Sequence, residues 1–230
     1  MVSARSRGWR TRGAIAAALG ALLTACAGGG RARPEPGAAP GELLGRRWRW
    51  VLTVDALGSS SPPEPARYTL ELLAGGAARV RADCNEAHGT YTAAARAFAV
   101  GPLATTNAAC APDTLAPRYL EGLSAIRSVA RVAGLLRADL LADAGTMWFA
   151  EEDDARLARY GCAGARRLDA VYTRGRVRLL SGGDVLDLRE AESGSTLRYR
   201  AGETSWYARG DLATLERAGE TVLAECRVAP

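Results

Sequence analysis

Residues 169–190 read DAVYTRGRVRLLSGGDVLDLRE, and this stretch decides the class of fold. Three apolar-rich runs, Asp169–Thr173, Val177–Leu180 and Val185–Glu190, are separated by Arg174-Gly175 and Gly182-Gly183. Short runs rich in Val, Leu and Tyr, bounded by glycine turns, are the pattern of antiparallel strands joined by tight connections. The pattern continues in Thr196–Arg200, Ser205–Ala208, Ala213–Glu216 and Thr221–Cys226, with Ala201-Gly202 as a further turn. No helical period competes with it. Many short strands at regular intervals predict an antiparallel barrel or sandwich over residues 158–230.

Upstream, residues 42–154 read as strands interrupted by one helix. Trp48–Val54, Tyr68–Leu72, Ala78–Ala82, Phe98–Val100, Val129–Ala133, Leu135–Ala142 and Met147–Phe149 are β-prone, and Gly75-Gly76 is a hairpin signal. Thr114 is placed to cap a helix that tolerates Pro117 in its first turn and repeats Leu115, Tyr119, Leu123 and Ile126 at helical spacing. This predicts a compact α+β domain ahead of the all-β one. The acidic run Glu151-Glu152-Asp153-Asp154 is expected to be the solvated boundary between them.

The N-terminus reads as an address. Arg5, Arg7, Arg10 and Arg12 precede an apolar run from Gly13 to Leu23, too short to span a bilayer. It ends in Leu23-Thr24-Ala25-Cys26, which resembles the lipobox of bacterial lipoproteins. The resemblance implies that residues 1–25 are a signal peptide and that Cys26 carries the lipid, palmitate among its acyl chains. Stable anchoring takes more than one acyl chain, which a triacylated cysteine supplies. No aspartate occurs in Ala27–Gly30, so the resemblance implies outer-membrane retention, facing the periplasm. Residues 26–41, rich in Gly, Pro and Ala, read as a flexible tether reaching roughly 20 Å.

Composition narrows the function classes. The chain carries 30 basic residues, all arginine, against 25 acidic ones. Four of the arginines belong to the leader, so the remainder is nearly neutral, and a general nucleic-acid surface is not expected. With Cys26 assigned to the lipid, Cys84, Cys110, Cys162 and Cys226 remain, which allows three pairings. Spacing favours Cys84–Cys110 and Cys162–Cys226, each closing within one domain and each contributing roughly 3–4 kcal/mol. There is no CxxC and His88 is the only histidine, so neither a metal nor a cofactor is expected, and no nucleophile motif or phosphate loop suggests an enzyme.

Three stretches of the first domain resemble the META domain family, which includes HslJ-type heat-shock proteins. Gly45-Arg46-Arg47-Trp48 is similar to its G-x-x-W, and Cys84-Asn85 with Gly89 and Tyr91 to C-N-x-x-x-G-x-Y. Gly101-Pro102-Leu103-Ala104-Thr105-Thr106, followed by Cys110, is similar to its G-P-[IL]-x-x-T segment. Asp83 departs from the glycine that often precedes the first cysteine. The resemblance implies an envelope stress-response role with no assigned chemistry. Read as residues, Asn85 suits a turn, Gly89 a permissive backbone angle, and His88 a solvated position.

From Tyr160 to Cys226 the chain resembles the membrane-bound and periplasmic inhibitors of c-type lysozyme, the MliC/PliC family of small antiparallel barrels. Tyr160-Gly161-Cys162, Ser193-Gly194 with Tyr199, Trp206, Arg209-Gly210, Ala213-Thr214-Leu215 and Cys226 carry the resemblance. It implies c-type lysozyme as partner, with Ser193 and Arg209 entering the lysozyme cleft and Tyr199 also binding lysozyme. Two carboxyl groups about 5 Å apart do the work of a retaining glycosidase. A hydroxyl bonds either form of a carboxyl, and a guanidinium pairs with an ionised one. The loop here is longer than the family's S-x-S-G-x-x-Y, Ala191 replaces the first serine, and Arg209 stands where lysine is usual. The alternative expectation is an envelope-stress or assembly lipoprotein that binds another protein or a glycan.

Overall fold

The computed structural model describes residues 31–32, 40–56, 58–94, 97–151, 153–181, 184–191 and 197–229. The expected leader, Cys26, most of the expected tether, Gly182-Gly183 and Ser193 lie outside them. From the segment expected to be a free tether, two residues form a strand, β1 (Arg31–Ala32), followed by a one-turn helix, α1 (Pro40–Leu43). Among the described residues no helix is long and apolar enough to cross a membrane.

The first sheet contains β2 (Arg47–Asp55), β3 (Gly58–Ser60), β4 (Tyr68–Leu72), β5 (Ala77–Ala82), β6 (Asn85–Ala94), β7 (Ala97–Thr105), β8 (Ile126–Val132), β9 (Leu135–Leu140) and β10 (Gly145–Ala150). All neighbours are antiparallel, in the order β7-β6-β5-β4-β2-β10-β9-β8, with β3 beside β2. Helix α2 (Ala116–Ala125) drives Tyr119 and Leu123 into the core against Trp48, Trp50, Tyr68 and Phe149. Tyr119 stacks on Trp50 at 5.3 Å between ring centroids and meets Tyr68 edge-on at 5.7 Å. The predicted helix is present, with Leu115 at its N-cap position. Thr114 Oγ1 accepts a bond from the Ala116 amide at 3.2 Å, and Ile126 already belongs to β8.

Strand β6 had no signal in the sequence. Asn-Glu-Ala-His-Gly-Thr-Tyr-Thr-Ala-Ala buries little beyond Ala87. It is a strand because β5 and β7 pair with it on either side, so its backbone groups are satisfied whatever its side chains prefer.

The second sheet is a closed eight-stranded barrel rather than a sandwich. Its strands are β11 (Arg156–Cys162), β12 (Arg166–Thr173), β13 (Arg176–Ser181), β14 (Asp184–Ala191), β15 (Leu197–Ala201), β16 (Thr204–Arg209), β17 (Leu212–Arg217) and β18 (Glu220–Val228). Each pairs antiparallel with the next, except that β11 also pairs with β18 and so closes the ring. That closing seam is short, registering Tyr160 with Val228 and Gly161 with Arg227. The Cys162–Cys226 disulfide lies on it, and Cys84–Cys110 ties the first sheet to the loop after β7.

A third core lies between the sheets. Val51, Leu52, Trp148 and Ala150 of the first sheet pack against Val171, Leu180 and Val185 of the barrel. This explains why the runs MWFA and AVY are apolar at consecutive positions: alternate residues serve the sheet's own core and the shared one. In β2, Trp48 and Trp50 serve the former, while Val51 and Leu52, at a register shift against β10, both serve the latter. Arg178 is buried in the same interface, where its Nε donates to the Ala133 carbonyl at 2.7 Å. The acidic run is not purely solvated. Glu151 pairs with Arg46 at 2.5 Å, and Asp153 pairs with the buried Arg49.

Candidate functional site

The motif residues of the first sheet resolve into structural roles. Asn85 Oδ1 accepts from the Ala108 amide at 2.7 Å and from Thr106 Oγ1 at 3.0 Å, while Nδ2 donates to the Ala108 carbonyl at 3.1 Å. The side chain therefore clamps the loop carrying Cys110. Gly89 was expected to supply a permissive backbone angle, but its φ is not positive. The need is for space: a Cβ there would stand 2.5 Å from the Pro102 carbonyl oxygen, so the G-P-L segment crosses against bare backbone. His88 is exposed on β6. Among the described residues, no group of three or more His, Cys, Asp or Glu is placed to hold a metal.

Chemistry collects instead at one end of the barrel. Strands β11 and β15 begin there, and β14, β16 and β18 finish there, so the β16–β17 turn and the flanks of the longer β14–β15 connection share a rim. Register makes this concrete, since Leu197 faces Ala208 and Arg209 faces Leu212 across a two-residue turn. Gly210 takes φ +55°, which favours glycine, with nothing within 4 Å of a Cβ position. Arg209 is exposed at the end of β16 and makes no side-chain hydrogen bond or ion pair among the described residues. Ser193 lies outside the described residues. The strands that flank it end at Ala191 and start again at Leu197 on this same rim.

Below the rim is a ring of aromatic side chains. Tyr172 Oη accepts a bond from Trp206 Nε1 at 2.9 Å and shares another with Tyr160 Oη at 2.9 Å. Trp206 meets Tyr160 edge-on at 5.2 Å and is fully buried. Burial raises the Tyr172 phenol above its ordinary range, helped by the Tyr160 hydrogen bond, so Tyr172 keeps its proton throughout the physiological range. The Arg156 guanidinium sits 4.3 Å from the centre of the Tyr172 ring.

Tyr199, grouped with Ser193 and Arg209 in the sequence, does not share the exposure of Arg209. Its ring is buried in the barrel, edge-on to Tyr172 at 5.9 Å, because the alternation along β15 turns it inward. Any part it plays is exerted from beneath the rim. Above this aromatic floor opens a cavity of about 590 Å³, lined among others by Arg156, Tyr172, Leu197, Gly210 and Asp211. Arg156, Tyr172 and Asp211 were not singled out in the sequence. Nothing but the closure of the barrel brings β11, β12 and the β16–β17 turn together.

Comparison with known proteins gives two matches to family models. Residues 42–154 match the META domain, and residues 160–223 match the membrane-bound lysozyme-inhibitor of c-type lysozyme. An NMR structure of a protein from Burkholderia xenovorans is 22% identical, with a TM-score of 0.44; the match covers 52% of this chain and 92% of that one. No curated protein sequence matches the chain.

Proposed function

For a chain that carries a META domain followed by a lysozyme-inhibitor domain, we propose that the barrel inhibits c-type lysozyme by seating its Arg209 rim in the catalytic cleft. The observation that carries the reading is an exposed guanidinium, without a partner among the described residues, on a tight two-residue turn at the mouth of a barrel that matches the inhibitor family. A cleft that cuts glycosidic bonds presents carboxyl groups. A guanidinium held on a rigid turn meets an ionised carboxylate with little entropy lost. The Ser193 hydroxyl, on the neighbouring connection, bonds a carboxyl in either protonation state. Tyr199 and the Tyr160–Tyr172–Trp206 cluster stiffen the rim from within. No group in this arrangement offers a bond to be cut, so the barrel blocks the sugar site without turning over.

The families found point to a non-catalytic protein of the bacterial envelope. Lipidation at Cys26, with the barrel held by a tether at the outer membrane facing the periplasm, extends that reading. An inhibitor anchored there stands between an incoming lysozyme and peptidoglycan.

The test uses the lipid-free chain from Ala27 onward, titrated against c-type lysozyme in a cell-wall lysis assay. Stoichiometric inhibition is expected. Arg209→Ala should weaken it by thirty-fold or more, the effect of about 2 kcal/mol or greater for truncating one member of a buried charge pair, and Ser193→Ala by a smaller factor. Lysis unaffected by a large molar excess of the wild-type chain would overturn the proposal.

A further inference from the structure

The mouth cavity has a wall that the barrel does not supply. Ser61, in the first domain between β3 and β4, lines it together with Gly210 and Asp211 of the barrel. The contact is specific, because Arg159 Nη2 on β11 donates to Ser61 Oγ at 3.0 Å. Arg159 is itself tied down: its Nε lies 3.8 Å from Asp169 Oδ1, and its carbonyl accepts from the Ala229 amide at 2.7 Å.

Two further features make this wall rigid. Ser61 is followed by Pro62 and Pro63, whose rings fix φ and restrict the residue before each. Pro62 is buried and Ser61 half-buried, so the corner is anchored on one side and presented on the other. The apolar core between the sheets, with Arg178 bonded to the Ala133 carbonyl, holds the whole first domain against the barrel. Wall and rim therefore meet a protein as one prepared surface, with little ordering left to do on association.

We infer that the target-binding face is composite: the Ser61 corner of the META domain forms one side of the surface that a lysozyme occupies, and so helps decide which lysozymes fit. This rests on the reading of the barrel mouth as the inhibitory site and adds a contact from outside the inhibitor domain. It also gives the first domain a part in recognition.

The experiment measures lysozyme affinity by calorimetric titration of the lipid-free chain from Ala27 onward. Ser61→Trp, which fills the edge of the cavity, should raise Kd at least ten-fold. Glu220→Trp, exposed at the opposite end of the barrel, should leave Kd within two-fold of wild type. A second readout avoids reliance on a folded tryptophan variant. In Ser61→Cys, alkylation of the new thiol should slow five-fold or more when lysozyme saturates the protein. Wild-type affinity in Ser61→Trp together with unchanged alkylation overturns the composite face and leaves the inhibitory reading standing. Absence of any lysozyme binding by the wild-type chain overturns both.

Discussion

At the residue scale the barrel depends on a few polar atoms with no freedom to lose a partner. Tyr172 Oη satisfies both the Trp206 indole and the Tyr160 hydroxyl inside the core. Tyr172→Phe keeps the ring and leaves those two groups unpaired, so the chain should lose about 1–3 kcal/mol of unfolding free energy in urea. Burial also holds the Tyr119, Tyr172 and Tyr199 phenols above their ordinary range. The unfolded chain releases these protons near pH 10 while the folded chain retains them. Their contribution to stability is therefore intact below about pH 10 and is lost as pH rises beyond it. The urea midpoint should stay level from pH 7 to 9 and fall above 10, less steeply in Tyr172→Phe; a midpoint unchanged to pH 12 would contradict this. Residues of this kind were half legible in the sequence. Trp206 and Arg209 were marked by the family resemblance, Arg209 by its place before a glycine. The Arg156–Tyr172 contact joins residues sixteen apart and has no sequence signature.

At the element scale, turns and helix were readable because their physics is local. Arg174-Gly175, Ala201-Gly202 and the Leu115–Leu123 periodicity stand where expected, as Gly175 and Gly202 take positive φ and α2 buries its apolar face. Strand β6 was missed because its stability is borrowed from β5 and β7, and β11 was glimpsed only at Tyr160-Gly161-Cys162 for a related reason. Its first half faces the shared interface and the cavity mouth, surroundings that no period of two or 3.6 encodes. Since β11 and β18 close the ring over a short register, the Cys162–Cys226 bridge carries more weight than its position near a chain end suggests. Replacing both cysteines with serine should lower stability by roughly 4 kcal/mol, the chain-entropy contribution of a 64-residue loop. The change should speed hydrogen exchange at β11 and β18 before the other barrel strands; uniform exchange across the barrel would show that the seam is not its weak point.

At the scale of the whole molecule, the two sheets share a core that neither has alone. Leu180 lies in it beside Val171 and Val185, facing Val51, Leu52 and Trp148. The chain from Ala27 onward should therefore unfold in a single calorimetric transition. Leu180→Asp, which buries an unpaired carboxylate in that layer, should split it in two, whereas a single transition in the variant would show that the domains are not coupled through this surface. The sequence by itself determined the order of an α+β part before an all-β part and the resemblance of each part to its family, and it favoured, among three possible pairings, the disulfides that the structure contains. These rest on composition, periodicity and spacing, which are properties of neighbours along the chain. Only the tertiary structure decided that the all-β part closes as a barrel, that Tyr199 turns inward, and that Ser61 and Arg178 tie the two parts together. Such facts come from which faces meet across long sequence separations, and that is fixed by the burial of shared apolar surface rather than by local preference.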